Sequence, residues 1–534
     1  MIMQKRVRNQ NDSNTSSRRG FLKSIGEAGI MGAAGFSFPH LLLSSKADAQ
    51  TPGFPERPNI LILLTDQQRF PRHWPKGWSA ANLPHWNRMT QNGITFTRAY
   101  CNSAMCSPSR ATLFTGLYPA HHQVVDTLTE SENYEYNHLP LDMQNMGKML
   151  ASAGYHVEYK GKWHLSRGTE SYDPKPEDLE AYGFYGWNPP DAGQDGAPDN
   201  YGIRHDARFI DDAIEFLSTQ RVENTSRQPF ALIVSIVNPH DVIGYPKQYL
   251  EDFPDIFGID LGIDVPDTID EDLSGKPKVQ EALLRTTDLF LGKLITPMQK
   301  KTYVNFYAYL QQLADQEFSC LMNVVEERGL LNNTVIFQLS DHGEMGLSHG
   351  GMRQKAFVTY EEALNVPLII SNPILFPEPV TTNSLAALID VMPTLATLAK
   401  APHPERWFFR GKDLSPILSD PSAEVQDTVL FTFDDQRAGN EVAGDPMPQP
   451  NHIHAIIGKE WKYARYYDPE DAGNVEFEMY HLQNDPKELN NLAGNPDFTA
   501  KEEELRQNLS LVTQRRLAPI ADTSHVHYWN SLKS

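Results

Sequence analysis

Cysteine is nearly absent from this chain, with three in 534 residues. Cys101, Cys106 and Cys320 are too few for a disulfide-built scaffold, and no CxxC pair suggests a zinc or thiol-redox site. Spacing alone leaves a single Cys101–Cys106 or Cys101–Cys320 bridge open. Long apolar runs are missing as well: none reaches the ~18 to 20 residues needed to cross a bilayer, so the mature chain is expected to have no membrane span. Positive charge is in deficit, since 47 Lys and Arg face 68 Asp and Glu for a formal net charge of -21. Nucleic acid and anionic membrane surfaces are therefore excluded as general partners, and any anionic ligand must meet a local cationic pocket. With 40% hydrophobic residues, the chain can bury a large core, as one α/β domain with additions or as several domains.

The N-terminus reads as a targeting segment. A polar, Asn/Ser-rich lead is followed by "SSRRGFLK" (16–23), a modest apolar stretch rich in Gly and Ala from Ile25 to Leu43, and Ala47-Asp48-Ala49, a small-residue cleavage pattern. The order resembles a twin-arginine export signal, with Arg18-Arg19 as the pair. Residues 1–49 are set apart from the fold on that ground. The resemblance implies the twin-arginine translocase as a partner and a periplasmic location.

Beyond Gln50, apolar strand runs alternate with helical stretches, which predicts an α/β fold with a largely parallel or mixed central sheet flanked by helices. "NILILLT" (59–65), "FALIVSIV" (230–237), "VIFQL" (335–339) and "VPLII" (366–370) are runs of the buried-strand type, and "YHVEY" (155–159) is shorter and half polar. Four of these are followed by polar residues able to do chemistry: Asp66-Gln67, "KGKWH" (160–164), "NPH" (238–240) and "SDHGE" (340–344). Ligands of open α/β sheets bind beyond the carboxyl ends of the strands, so the four segments can converge there. Solvated turns are the alternative for each one separately. A long helix is expected from Pro297 to near Gly329, with proline in its first turn and glycine at its end. From about Glu405, shorter strands ("IHAIIG", "WKYARYY", "EMYHL") predict a smaller antiparallel C-terminal subdomain over 405–534. "GWNPPDAGQDGAPDN" (186–200) reads as a surface insertion.

"CNSAMCSPSRATLFTG" (101–116) places Cys106 at a helix start. Ser107 can cap that helix and Pro108 suits its first turn, so free backbone N–H groups and the positive helix end favour an anion beside Cys106. A buried structural cysteine and a thiol nucleophile with lowered pKa both fit the same position.

C-x-P-x-R followed by "ATLFTGLYP" resembles the sulfatase signature, and the resemblance extends over most of residues 57 to about 495. "NILILLTD", "GYHVEYKGKWHL", "SDHGE", "KAFVTYEEALNVPLII" and "EMYHLQNDPKELNNLA" resemble further family segments in the family's order. It implies an alkaline-phosphatase-like fold with a catalytic domain over 57–400. It implies that Cys106 is oxidised to formylglycine by a maturation enzyme, and that a hydroxyl of the hydrated aldehyde attacks sulfur. The resulting sulfated hemiacetal would release sulfate by loss of the second hydroxyl's proton, a step closed to serine. By the same resemblance Arg110 orients the nucleophile. Lys162, His164, His240 and Lys355 bind sulfate or move protons, with His240 or Lys355 as the acid and His164 as the base. Asp66, Gln67, Asp341 and His342, with residue 106, hold one divalent cation.

Gln67 and His342 stand where many members have Asp and Asn, so the site carries one negative charge fewer. Oxygen ligands favour Ca²⁺ or Mg²⁺, and the imidazole raises the case for Mn²⁺; Ca²⁺ is the ion expected. The reaction implied is hydrolysis of a sulfate ester, with a sulfated carbohydrate or other sulfated small molecule as substrate. Asp-Gln at the first metal position also suits phosphodiesterases or phosphonate monoester hydrolases of the same scaffold, and an unmodified Cys106 would suit a non-catalytic binder of sulfated glycans.

Overall fold

The computed structural model describes residues 56–129, 137–168, 173–194, 196–220, 228–249, 259–439 and 446–520. The export segment, residues 1–49, lies outside the described residues. Seven strands form the central sheet: β1 (Asn59–Asp66), β2 (Gly93–Phe96), β3 (His156–Gly161), β4 (Phe230–Pro239), β5 (Thr334–Ser340), β6 (Leu368–Ser371) and β7 (Val380–Thr382). Their order is β3-β4-β1-β5-β6-β2-β7. β3, β4, β1 and β5 run parallel, whereas β6 is antiparallel to both β5 and β2. The sheet is therefore mixed, and its four parallel strands are the four whose ends carry the polar segments.

β1 explains why such a strand is apolar throughout. Ile60, Ile62 and Leu64 face one core, which also holds Ala111, Leu113 and Phe114 of helix α1 (Cys106–Thr115). Leu61 and Leu63 face the other, with Ile210 of α2 (Gly202–Ser218) and Phe306 of α4 (Pro297–Glu327). A strand covered on both faces by helices has no solvent side for polar residues. α4 begins at Pro297 as expected, and a capping box that was not read from the sequence precedes it: the Thr296 hydroxyl accepts from the Gln299 backbone N–H at 3.1 Å, and Gln299 Oε1 accepts from the Thr296 N–H at 3.0 Å. It ends before Gly329, whose φ of 68° lies in the left-handed region. Between them, α3 (Lys278–Leu291) lies along one edge of the site.

A second sheet of four antiparallel strands follows: β8 (Val429–Phe433), β9 (His452–Ile457), β10 (Trp461–Tyr467) and β11 (Val475–His481). Three of these match the strands read from the sequence, and β8 is an addition. Ile453, Ala455 and Tyr463 join the same core as Ile60 and Phe114, so this sheet shares the main core. Helix α5 (Thr499–Arg516) follows it. Among the described residues no helix is long and apolar enough to cross a membrane. All three cysteines are free, which closes the question of a Cys101 bridge.

Candidate active site

The ends of the four parallel strands converge on the start of α1. β1 delivers Asp66 and Gln67, β3 delivers Lys162 and His164, β4 delivers His240 and β5 delivers Asp341 and His342. α1 is buried along its whole length, so its first residue, Cys106, is held from behind by the core. The helix begins at Cys106 itself, with Met105 in the capping position and no side-chain cap. Ser107, expected as that cap, instead accepts a hydrogen bond from the Leu128 N–H at 3.0 Å. Its serine hydroxyl pins a neighbouring loop because the helix starts two residues earlier than the sequence suggests.

Asp66, Cys106, Asp341 and His342 present donor atoms within 4.8 Å of one another, all buried. Cys106 Sγ lies 3.2 Å from His342 Nε2 and 3.8 Å from Asp66 Oδ1. His342 Nε2 is 3.5 Å from Asp66 Oδ1 and 3.7 Å from Asp341 Oδ1. Two carboxylates and an imidazole gathered out of water are a costly arrangement without cations, and Lys162 pairs with Asp66 while Arg110 reaches Asp341 at 3.4 Å. Burial opposes ionisation of Asp66, yet Lys162 above all holds its carboxyl well below the usual range. Hard oxygen donors with one imidazole suit a divalent cation.

Gln67 belongs to this cluster through its neighbours. Its φ of 68° turns the side chain back, its Nε2 donates to Glu344 Oε2 at 2.6 Å, and its Oε1 accepts from Lys355 Nζ at 2.8 Å. Glu344 also accepts from the Tyr303 hydroxyl at 2.7 Å and from the Gly346 N–H at 3.1 Å. Glu344, which the sequence reading did not single out, thus fixes which end of the Gln67 amide faces Lys355.

A cavity of about 490 Å³ opens over Cys106, with His240 and Lys355 on its wall. Lys162, Arg110 and His164 do not line it, so of Arg110, Lys162 and Lys355 only Lys355 reaches the opening. Lys162 is turned to Asp66 and to the Gly193 carbonyl. The Arg110 guanidinium donates to the Trp163 carbonyl (3.1 Å), the Tyr159 hydroxyl (2.9 Å), the Ser235 hydroxyl (2.8 Å), the Lys162 carbonyl and, at 3.4 Å, Asp341 Oδ2. Arg110 therefore ties α1 to the ends of β3 and β4 and touches the cluster through Asp341.

His164 Nε2 meets the Leu128 carbonyl, so that nitrogen carries the proton and Nδ1, which has no hydrogen-bond partner, carries the lone pair. Burial, and then Lys162, keep this imidazole well below its ordinary pKa and hence neutral. Burial also lowers His240, whose Nδ1 is likewise unpartnered. The Cys106 thiol moves in the opposite direction to that expected of a helix start: burial, and then Asp66, push it up to about 11. Desolvation outweighs the helix dipole, so the thiol-nucleophile reading loses its support.

The segment around Asp191 is a correction. It reads as a surface insertion, but Asp191 is buried and its carboxylate accepts from the backbone N–H groups of Trp163 and His164, both at 2.8 Å. The turn folds inward because these two N–H groups lie beyond the β3 ladder and need acceptors. On the other side, Asp206 of α2 accepts from the N–H groups of Val237 (2.7 Å) and Asn238 (3.0 Å), which sets the strand end before His240. No periodicity marks Asp191; Asp241, beside His240 in "NPHD", was visible in sequence and accepts from the N–H groups that open α2, at 2.7 and 2.9 Å.

A family model described as Sulfatase matches residues 58–401, well over half of the chain. The chain belongs to the sulfatase family. A second model, N-sulphoglucosamine sulphohydrolase, C-terminal, matches residues 349–515. This sulfatase is 26% identical over 482 residues to an ulvan-active sulfatase of Formosa agariphila, covering 88% of the chain and 82% of the relative. It is 23% identical over 507 residues to an N-acetylglucosamine-6-O-sulfatase of Bacteroides thetaiotaomicron, covering 85% and 86%. Among solved structures, it superposes with a TM-score of 0.65 at 22% identity on a protein in complex with its substrate D-glucosamine-2-N,6-O-disulfate, covering 86% of this chain and 98% of that one. A phosphonate monoester hydrolase of Agrobacterium radiobacter gives 0.63 at 20%, covering 86% and 96%. At such identities these structures establish the fold. The family places the chain among the sulfuric ester hydrolases.

Proposed function

We propose that this sulfatase hydrolyses a sulfate ester of a sulfated carbohydrate, using residue 106 after its oxidation from cysteine to formylglycine. The observation that carries the reading is the placement of Cys106 at the floor of the cavity, in contact with the Asp66, Asp341 and His342 cluster. Burial disfavours the thiolate that a cysteine nucleophile needs, which supports the formylglycine reading over the thiol one. Formylglycine would supply hydroxyls of a hydrated aldehyde at that position. Asp66, Gln67, Asp341 and His342 would hold a divalent cation, Ca²⁺ in our reading with Mg²⁺ or Mn²⁺ as the other fits, which would withdraw charge from the sulfuryl oxygens.

The chain's own groups do the rest. Lys355 presents an ammonium to the cavity and is held by Gln67 Oε1 and, at 3.3 Å, by Gln354 Oε1. It can neutralise sulfate and protonate the leaving oxygen. His240, neutral in the free site, offers a hydrogen bond from the opposite wall. The unpartnered Nδ1 of His164 can take up a proton. Preorganised donors of this kind lower the barrier most where charge develops.

We infer further that residues 1–49 direct export through the twin-arginine translocase to a periplasm, and that a maturation enzyme acts on Cys106 before export. The order of "SSRRGFLK", the apolar stretch and Ala47-Asp48-Ala49 supports this.

The test is mass spectrometry of the peptide containing "AMCSPSR", combined with rates on 4-nitrophenyl sulfate, bis(4-nitrophenyl) phosphate and phenyl 4-nitrophenylphosphonate, followed by a panel of defined sulfated sugars. The reading expects formylglycine at 106 and the highest kcat/KM on sulfate esters. An unmodified thiol in active protein, or a preference for the phosphorus substrates, overturns it. Binding of sulfated sugars with no turnover would establish the binder instead.

A further inference from the structure

The walls of the cavity above Cys106 differ in kind. α3 contributes Leu283, Phe290 and Leu291, and Phe290 is exposed. The segment after His240 and the turn after Asp191 also line it, with Lys247, Gln248 and Gln194, and Lys247 packs beside Gly292 at the end of α3. The chain holds 68 acidic residues against 47 basic ones, yet among the described residues lining this cavity none is Asp or Glu. A described lining of this composition favours anions.

Lys355 at the floor is engaged with Gln67 and Gln354. Lys247 is exposed and makes no ion pair or hydrogen bond among the described residues. Most exposed lysines are simply solvated, but this one lines the reaction cavity, where no described residue is a carboxylate. The segment that carries it is rigidly placed. Tyr245 and Tyr249 are buried in the core on either side of it, and Gln248 Oε1 accepts from the Tyr201 hydroxyl at 2.7 Å.

We propose that Lys247 is a specificity-determining residue, binding a second anionic group, a carboxylate or another sulfate, on the substrate whose sulfate ester lies at Cys106. The apolar wall of α3 would take the hydrophobic face of the intervening sugar ring. This rests on the sulfatase reading above and adds the class of substrate: a carbohydrate with at least two negative charges. Because Lys247 is solvent-exposed, its contribution is screened by salt in a way that a buried contact is not.

The experiment compares matched disaccharides, one member with a single sulfate, the other with the same sulfate plus a uronate carboxylate or a second sulfate. Inhibition constants are read against turnover of 4-nitrophenyl sulfate. In wild type at least one pair should favour the doubly charged member by about tenfold, the scale of one charge-assisted contact. The ratio should collapse in Lys247→Ala, survive in Lys247→Arg, invert in Lys247→Glu and shrink as salt is raised. Being a ratio, it is insensitive to the fraction of each variant that folds. No preference in wild type, or a preference that survives Lys247→Ala, overturns the proposal while leaving the sulfatase reading standing. Failure of wild type carrying formylglycine to turn over 4-nitrophenyl sulfate or any member of the panel overturns the sulfatase reading, and calorimetric titration with the same pairs then decides the role of Lys247 by itself.

Discussion

Replacing Lys462 by methionine should destabilise the protein by an amount that depends on pH. Lys462 is a buried residue of β10 whose ammonium sits 2.6 Å from Glu488 Oε1 and 3.0 Å from Glu361 Oε1, and donates to the Thr359 carbonyl at 2.7 Å. Glu361 keeps a second partner, Arg72, at 2.7 Å; among the described residues the Glu488 carboxylate has no second ion pair, and Lys276 Nζ donates to its backbone carbonyl at 2.7 Å. At an effective dielectric of ~20, each contact near 3 Å corresponds to about 5 kcal/mol of attraction before desolvation is subtracted. Deleting one member of such a buried set costs about 3 to 5 kcal/mol, because the remaining charge stays buried and unpaired. Burial, together with Glu361 and against the pull of Lys462, already pushes the Glu488 carboxyl up to about 7 from its ordinary 4.5. An acid raised on folding favours the native state fully below its unfolded value, and that contribution is lost as pH climbs through the folded value. Loss of Lys462 raises Glu488 further, so the deficit of Lys462→Met relative to wild type should grow between pH 5 and pH 8. Urea-unfolding midpoints at the two pH values measure this. We expect about 3 to 5 kcal/mol at pH 8, about 1 kcal/mol less at pH 5 because the two proteins diverge only above the wild-type Glu488 value of about 7, and substantial recovery in Lys462→Met/Glu488→Gln. Equal deficits at both pH values, or under about 1 kcal/mol at pH 8, would refute the reasoning.

Three further outcomes are expected. Asp341→Ala removes a carboxylate that accepts from the N–H groups of Gln67 (3.1 Å) and His342 (2.9 Å), and bound metal and activity should fall together, activity by about 10³-fold or more; full activity in metal-stripped Asp341→Ala would refute the cluster's role. Asp191→Ala should lower kcat/KM by about 10²-fold and cost about 1 to 3 kcal/mol of stability for each donor left unsatisfied, since two backbone donors beside Lys162 and His164 lose their acceptor; unchanged kinetics would show that those donors are satisfied otherwise. Changing Arg18 and Arg19 together to Lys should leave precursor in the cytoplasm on fractionation, and unimpaired export would point to another route.

The parts of this protein that local chemistry dictates were legible in its sequence. Apolar runs bounded by polar ends gave the strands, because a strand covered on both faces has no other composition available to it. Pro297 and Gly329 marked the ends of α4, since helix termini have local conformational and hydrogen-bonding needs. The convergence of Asp66, Lys162, His240 and Asp341 followed from the single rule that parallel strands end at one edge.

What required the tertiary structure were relations between residues far apart in the chain. The direction of β6 depends on which neighbours it pairs with, and an apolar run reads the same either way. The inward turn at Asp191 exists to accept two N–H groups 27 and 28 positions earlier. The orientation of the Gln67 amide is set by Glu344, 277 residues away, and the pairing of Lys462 with Glu361 and Glu488 spans two sheets' worth of chain. The Cys106 thiol shows the limit most clearly. A helix start lowers a thiol's pKa by local geometry, but burial and Asp66 raise it, and desolvation is fixed by everything packed around a residue and by nothing in the residues beside it.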